Sequence, residues 1–166
     1  HAKAYGLGGE NGSCATIEAL RVFAYGTDSV DTRFYENYYA DTMFDLNGDT
    51  IRLDNGTPLV YLPLEVRLDL SRLPAEKTAG ARMKKYEIDK MGTKDGKLSD
   101  NDIVLFRYAD VLLMRSEAKV RNGENGDEEL NAVRFRVGML PREATLENIL
   151  AERQLELAWE GCMKVN

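Results

Sequence analysis

The chain has 166 residues, enough for one domain with a buried core, and its 43% hydrophobic and 30% charged residues are ordinary for a globular protein. Its net charge of −6, without a run of Lys and Arg, argues against a nucleic acid partner, because phosphates are bound by clustered cations. His1 is the only histidine, which excludes His-based catalytic triads and His-rich metal sites. We expect no cofactor.

The two cysteines, Cys14 and Cys162, lie far apart in sequence and match no zinc-binding or redox spacing. We expect both to be free thiols that pack as small apolar residues. No apolar run approaches the roughly 20 residues of a membrane-spanning helix, and no secretory signal opens the chain. Since the chain does not begin with Met, we expect it to be part of a longer protein whose targeting segments lie outside it.

The first hundred residues are rich in turn signals. Residues 6–12 read as a loop, and Thr16 is placed to cap a short helix whose apolar residues are Ile17, Ala19, Leu20 and Phe23. Asn-Gly pairs at 47–48 and 55–56 predict tight turns, with a short strand over residues 50–53 between them.

Apolar and other side chains alternate over residues 60–70, which predicts an extended segment with one buried face. The apolar set is Val60, Leu62, Leu64, Val66, Leu68 and Leu70. Pro63 lacks a backbone donor, so we expect an edge strand or an irregular extended segment. Residues 82–88 suggest another extended piece, and residues 91–101 a polar loop.

Three helices are predicted in the remainder. The first begins after a cap at Asp100 or Asn101 and ends at Arg121, with an apolar stripe of Leu105, Phe106, Ala109, Leu112, Leu113, Ser116 and Val120. We expect it to be the most buried long helix. The second covers about 127–137, has an acidic first turn, and faces Leu130, Val133 and Val137 inward. The third is capped by Thr145, is closed by Gly161, and has a core stripe of Leu146, Ile149, Leu150 and Leu157.

Charged residues on these helices form regular spacings. Arg107 and Asp110, like Arg153 and Glu156, are three residues apart, and we expect each pair to be in contact and to support the fold. Glutamates at 152, 156 and 160 repeat every four residues. A metal site is the alternative for this row, but like charges at that spacing repel, so we expect arginines to neutralise them. The acidic segment 45–49 lacks the sixth-position Gly and twelfth-position Glu of a calcium loop, and we expect a turn.

Two C-terminal segments resemble a family signature. The first reads LFRYADVLLMR over residues 105–115, and the second pairs Glu152 and Arg153 with Glu156 and Leu157 and then Glu160 and Gly161. Weaker similarity is carried by residues 13–20 and 31–34. Over roughly residues 12–161 the chain is similar to the SusD/RagB family. That family usually continues with an aromatic- and arginine-rich helix containing an Asp-Leu pair, whereas residues 162–166 read CMKVN.

The resemblance implies a mostly α fold of TPR-like helical hairpins, an α-α superhelix, with an irregular N-terminal region containing short strands. We expect a single domain over 1–166, irregular with strands over 1–100 and helical and TPR-like over 101–161. It also implies a cell-surface lipoprotein of the outer membrane that binds an oligosaccharide or peptide and delivers it to a SusC-like TonB-dependent transporter. Its only membrane attachment would be a lipid anchor outside this chain.

Ligand contacts in relatives often come from loops before the 13–20 segment. The resemblance therefore favours glycan binding by Tyr5 and Asn11, an aromatic and an amide in a loop expected to be exposed. Tyrosines at 35, 38 and 39 are an alternative aromatic cluster, although one face of such a cluster is usually core, and Trp159 is expected to be buried. We expect no enzyme, because no carboxylate stands in a catalytic context. The alternative function is protein scaffolding by the helical hairpins, without glycan contact in this segment.

Overall fold

The computed structural model describes residues 1–6, 13–66, 75–87, 89–91 and 101–161. The chain divides into two compact units: a turn-rich unit of residues 1–20 and 35–103, and a helical unit of residues 21–34 and 104–166. The helix-rich fold class with a few short strands is confirmed. Residues 21–34 group with the C-terminal helices although they lie far from them in sequence, and the single domain over 1–166 stays a prediction.

Short elements make up most of the turn-rich unit. A 3₁₀ turn covers Ala2–Tyr5. Two short helices, α1 (Ile17–Val22) and α2 (Phe34–Asn37), each contain one of the three sequence positions at which the units divide. The strands are β1 (Tyr38–Tyr39), β2 (Asp41–Thr42), β3 (Val60–Tyr61) and β4 (Arg82–Met83), and α3 (Ala75–Thr78) lies between β3 and β4. Thr16 caps α1 as predicted, since its hydroxyl oxygen accepts from the backbone N–H of Ala19 at 3.2 Å.

Two antiparallel pairs hold the strands. β1 pairs with β4, with Tyr38 opposite Met83, and β2 pairs with β3, with Asp41 opposite Tyr61. Both predicted turns are confirmed, because Gly48 and Gly56 adopt φ values of 85° and 82°, which glycine reaches without the steric cost of a Cβ. Between the turns, where a strand over residues 50–53 was expected, the structure forms single antiparallel bridges at Thr50 and Arg52 and no continuous strand.

The prediction for residues 60–70 is wrong in its buried face. Tyr61 and Pro63 are buried, whereas Leu62, Leu64 and Val66 are exposed. The reason is the pairing of Tyr61 with Asp41, which turns the odd-numbered side chains toward the core of this unit. That core contains Tyr5, Met43, Ile51, Leu59 and Tyr61. Leu68 and Leu70 lie outside the described residues.

The helical unit contains three longer helices: α4 (Tyr108–Arg121), α5 (Asp127–Arg136) and α6 (Leu146–Glu156). α4 starts six or seven residues later than predicted, because Arg107 is extended, with φ −127° and ψ 144°. Leu105 and Phe106, expected on its buried stripe, are 82% and 88% exposed. The expectation that α4 is the most buried long helix is also wrong, since each of α5 and α6 buries more residues than α4 does.

α4 and α5 pack closely at their connection. The Ser116 hydroxyl donates to the carbonyl of Gly126 at 2.8 Å, and a Cβ at Gly126 would lie 2.7 Å from the Ser116 carbonyl oxygen. This close approach requires glycine and sets the distance between the two helices. An apolar core forms beside it from Leu113, Leu130, Val133 and Ile149.

The start of α6 follows the sequence prediction, but the helix ends at Glu156 instead of closing at Gly161, and its apolar stripe is only partly buried. The Thr145 hydroxyl oxygen accepts from the backbone N–H of Asn148 at 3.1 Å, which confirms the cap. Ile149 and Leu157 are buried as expected, but Leu146 and Leu150 are exposed. The positions turned inward instead are Glu152 and Glu156, whose charges are met by arginines. Within the described residues no helix is long and apolar enough to cross a membrane.

Candidate functional site

A network of buried ion pairs lies at the centre of the helical unit, and Arg33 is one of its two most connected cations. Its Nε donates to Asp31 Oδ1 at 2.9 Å and its Nη2 to Asp31 Oδ2 at 2.8 Å. Its Nη1 reaches Glu152 at 2.7 Å and Glu156 at 3.0 Å. Burial alone would lower the pKa of Arg33, but hydrogen bonds and attraction from Asp31 and Glu152 outweigh it and raise that pKa. Arg33 therefore stays charged.

Glu152 is the most buried carboxylate of the network. It is fully shielded from solvent and accepts from Arg33 on one oxygen and from Arg134 Nη1 on the other at 2.5 Å. Arg134 is itself buried and also donates from Nε to the carbonyl of Leu140 at 2.7 Å. A carboxylate bound by two guanidinium groups is charge-compensated without water, as buried charges must be.

Glu156 and Glu160 bind the second of these cations, Arg107. Nη1 of Arg107 donates to Glu156 Oε1 at 2.8 Å, Nη2 to the Glu156 carbonyl at 2.7 Å, and Nε to Glu160 Oε2 at 2.9 Å. Arg136 also binds Glu156, at 2.6 Å. Burial raises the pKa of Glu156, but hydrogen bonds from Arg107 and Arg33 and attraction from Arg136 lower it by more. Its carboxylate is therefore held ionised.

The arginines neutralise the glutamate row as predicted, but the predicted pairs within α4 and α6 are wrong. Arg107 binds Glu156 and Glu160 instead of Asp110, and Arg153 binds Asp110 at 2.8 Å instead of Glu156. Each arginine reaches the other helix, because α4 and α6 lie side by side. The two motif segments are thus joined by reciprocal ion pairs, which fix the register between the helices.

This network has the chemistry of a structural element. It contains four carboxylates, at 31, 152, 156 and 160, and four guanidinium groups, at 33, 107, 134 and 136. Among the described residues no cluster of His, Cys, Asp or Glu has a geometry that could hold a metal ion. Since these carboxylates are bound by arginines, the glutamate row in and just after α6 holds the helices in position.

The predicted ligand residues fall in the turn-rich unit. Tyr5 is 6% exposed, so the expectation of an exposed loop is wrong at this position. Its ring packs in the core with Ile51 and Leu59, and its hydroxyl donates to the Phe44 carbonyl at 3.5 Å. Asn11 lies outside the described residues. Glycan binding by Tyr5 and Asn11 stays a prediction.

The other aromatic candidates have different surroundings. Tyr38 is buried, and Tyr39 is half-buried with its hydroxyl donating to Glu87 at 2.8 Å. Burial and the Glu87 carboxylate raise the pKa of Tyr39. Tyr35 is 49% exposed, whereas Trp159, expected to be buried, is half-buried in a left-handed conformation with φ 66°.

The most exposed aromatic rings of the helical unit are Phe106 and Tyr108, at 88% and 76% exposure. Helical periodicity places Phe106 inside a helix and gives no signal of its exposure. The partners of the glutamate row, Arg33, Arg134 and Arg136, were not predicted, and local spacing gives no signal for contacts made across more than 100 residues, such as that of Arg33.

Comparison with known proteins gives one match. No curated protein and no solved structure matches the chain. The model of the SusD family matches residues 26–163, which are 138 of the 166 residues. Members of this family are proteins that bind nutrients such as glycans in association with outer-membrane transport, and they are typically surface lipoproteins. The chain therefore belongs to the SusD family.

Proposed function

We propose that this chain is part of a cell-surface nutrient-binding lipoprotein that captures an oligosaccharide and delivers it to a SusC-like TonB-dependent transporter of the outer membrane. The observation that carries the proposal is the family match over 138 of 166 residues. The two motif segments support it, because the structure joins them through Arg107, Glu156 and Glu160.

The scaffold proposed for this role is a TPR-like superhelix. α4 and α5 form an antiparallel pair joined by a short connection, and α6 packs against α4. Such helix pairs stack into solenoids in repeat proteins. We further propose that Tyr5 and Asn11 contribute to ligand binding.

Binding to a panel of purified glycans and peptides tests the capture step. We expect the chain to bind at least one oligosaccharide and to release no reducing ends from it, since capture involves no bond cleavage. For the predicted ligand residues, Asn11→Ala should weaken binding, with Asn122→Ala, in the exposed end of α4, as the matched control. Absence of glycan and peptide binding would contradict the proposal.

Protein scaffolding is the second candidate, and the exposed side of α4 favours it. Tyr108, Val111 and Met114 are exposed at helical spacing, which is a pattern typical of helices that pack on another protein. Purification of a co-expressed SusC-like transporter together with this chain, without glycan binding by the chain alone, would favour scaffolding.

A further inference from the structure

Two exposed aromatic rings stand on either side of a fixed residue at the start of α4. Phe106 and Tyr108 flank Arg107, whose backbone is extended at φ −127° and ψ 144°. In extended backbone the side chains before and after a residue point to the same side, with their Cα atoms about 7 Å apart. The two rings therefore face solvent together.

The backbone that carries these rings is held in place from its other side. The Arg107 guanidinium is bound to the Glu156 carboxylate, the Glu156 carbonyl and the Glu160 carboxylate, at 2.7–2.9 Å. Tyr108 is the first residue of α4, which fixes the chain that follows. Because Arg107 and the helix hold the backbone, little backbone conformational entropy remains to be lost when a ligand binds the rings.

Polar backbone groups lie next to the rings. Residues 104–106 are exposed and belong to no helix or strand, and within the part of the chain that the structure describes they form no backbone hydrogen bond. Exposed N–H and C=O groups of this kind can bond to hydroxyl groups of a ligand. Ring faces that stack on apolar surface, beside hydrogen-bonding groups, match the amphipathic surface of a sugar ring.

We propose that Phe106 and Tyr108 form a stacking platform for a neutral oligosaccharide. This inference rests on the proposed function and assigns it a binding surface distinct from Tyr5 and Asn11. A neutral ligand is favoured because the nearest cation in sequence, Arg107, points to the other side of the backbone and is already bound to two carboxylates, and the chain as a whole carries a charge of −6. An acidic sugar would find little compensation here for its lost hydration.

The test measures binding of neutral and acidic polysaccharides by affinity electrophoresis, followed by calorimetry with the matching oligosaccharides. Phe106→Ala combined with Tyr108→Ala should weaken binding of a neutral glycan at least tenfold. Phe106→Tyr and Tyr108→Phe keep both rings and should stay within about threefold of the wild type. Phe135→Ala is the matched control, because Phe135 is an aromatic residue on α5 of the same unit and is 61% exposed.

The outcomes separate this inference from the proposed function. If the wild type binds a neutral glycan and the double alanine variant binds it equally well, the platform is wrong and the proposed function stands. If the wild type binds only acidic glycans, the platform is also wrong. If it binds no glycan, both proposals fail.

Sedimentation equilibrium on the same proteins addresses a protein partner for this surface. The platform requires the wild type and the double alanine variant to have the same molar mass at micromolar concentration. A wild-type dimer that the double variant dissociates would show that these rings contact a second copy of the chain, and would overturn the platform.

Discussion

The helical unit buries charge, whereas the turn-rich unit buries tyrosines. In the helical unit, Glu152 and Arg134 are almost fully shielded from solvent and bind each other. In the turn-rich unit, Tyr5 and Tyr61 occupy the core, and the rings supply apolar surface. The difference teaches that the helical unit depends on each partner of a network, because one missing charge leaves another uncompensated, while the aromatic core loses stability in proportion to the area removed.

Removal of Glu152 should cause the largest loss in the free energy of unfolding. Glu152→Ala leaves buried Arg134 without the carboxylate it binds and removes one of the three carboxylates bound to Arg33, and we expect the free energy of unfolding to fall by about 3–5 kcal/mol. Guanidinium denaturation followed by fluorescence of Trp159, the only tryptophan, measures it. Glu124→Ala removes an exposed glutamate of the same unit and should change little. A loss below about 1 kcal/mol for Glu152→Ala would show that the network is dispensable.

Replacing one glycine in each unit should give the next largest losses of stability. Gly126→Ala brings a Cβ to 2.7 Å from the Ser116 carbonyl oxygen, and we expect a loss of about 1–3 kcal/mol from the helical unit. Gly48→Ala in the turn-rich unit meets no atom within 4 Å but requires φ 85°, so we expect about 1 kcal/mol.

Asparagine substitutions at the same two positions distinguish a steric clash from the cost of a positive φ. Because Asn tolerates positive φ better than Ala does, Gly48→Asn should cost less than Gly48→Ala, whereas Gly126→Asn should cost at least as much as Gly126→Ala. Thermal melts of the four variants give the order. If Asn and Ala ranked in the same order at both positions, the two glycines would not be required for different reasons.

Acid should weaken the helical unit through Glu156. The arginines around it hold its pKa below the unfolded value, so its contribution is present above the unfolded pKa and is lost as pH falls through the folded pKa. Asp31 acts in the same direction, since bonds from Arg33 lower its pKa against the effect of burial. We expect the guanidinium concentration at the unfolding midpoint to decrease as the pH is lowered from 6 to 3. The decrease should be less steep in Glu156→Gln. If the midpoint changed with pH equally steeply in the wild type and the variant, Glu156 would be excluded as a source of the acid sensitivity.

The smallest effect is expected at the surface of the turn-rich unit. Lys3 and Asp54 form an ion pair of 2.6 Å whose side chains are 81% and 86% exposed. Solvent screens this pair, so Asp54→Asn should leave the denaturation midpoint unchanged in 150 mM salt. A measurable shift would mean that exposed ion pairs stabilise the turn-rich unit, as buried ion pairs stabilise the helical unit.

Features that depend on neighbours in sequence could be predicted. Thr16 and Thr145 cap their helices and Gly48 and Gly56 form turns, because each depends on a few adjacent residues. The family resemblance was also readable from residues 105–115 and 152–161, since those motifs are contiguous.

Features set by distant partners could not be predicted. Helical periodicity continued through Phe106, but Arg107 is held extended by Glu156 and Glu160, about 50 residues later. The buried face of residues 60–66 follows from pairing with Asp41, and alternation alone does not show which set faces inward. The candidate platform depends on the first of these contacts, and therefore became visible only in the structure.

The bond between Arg33 and Glu152 spans 119 residues, which has a consequence for folding kinetics. The α4–α5 hairpin closes within a short stretch of chain, while the Arg33 contact requires closure of a long loop and should form late. Interactions absent from the folding transition state act mainly on unfolding. Glu152→Ala should accordingly speed unfolding while leaving the refolding rate nearly unchanged, and Leu130→Ala, within the local hairpin, should slow refolding. Stopped-flow chevron plots of the two variants would show whether the charged centre is the last part of the helical unit to assemble.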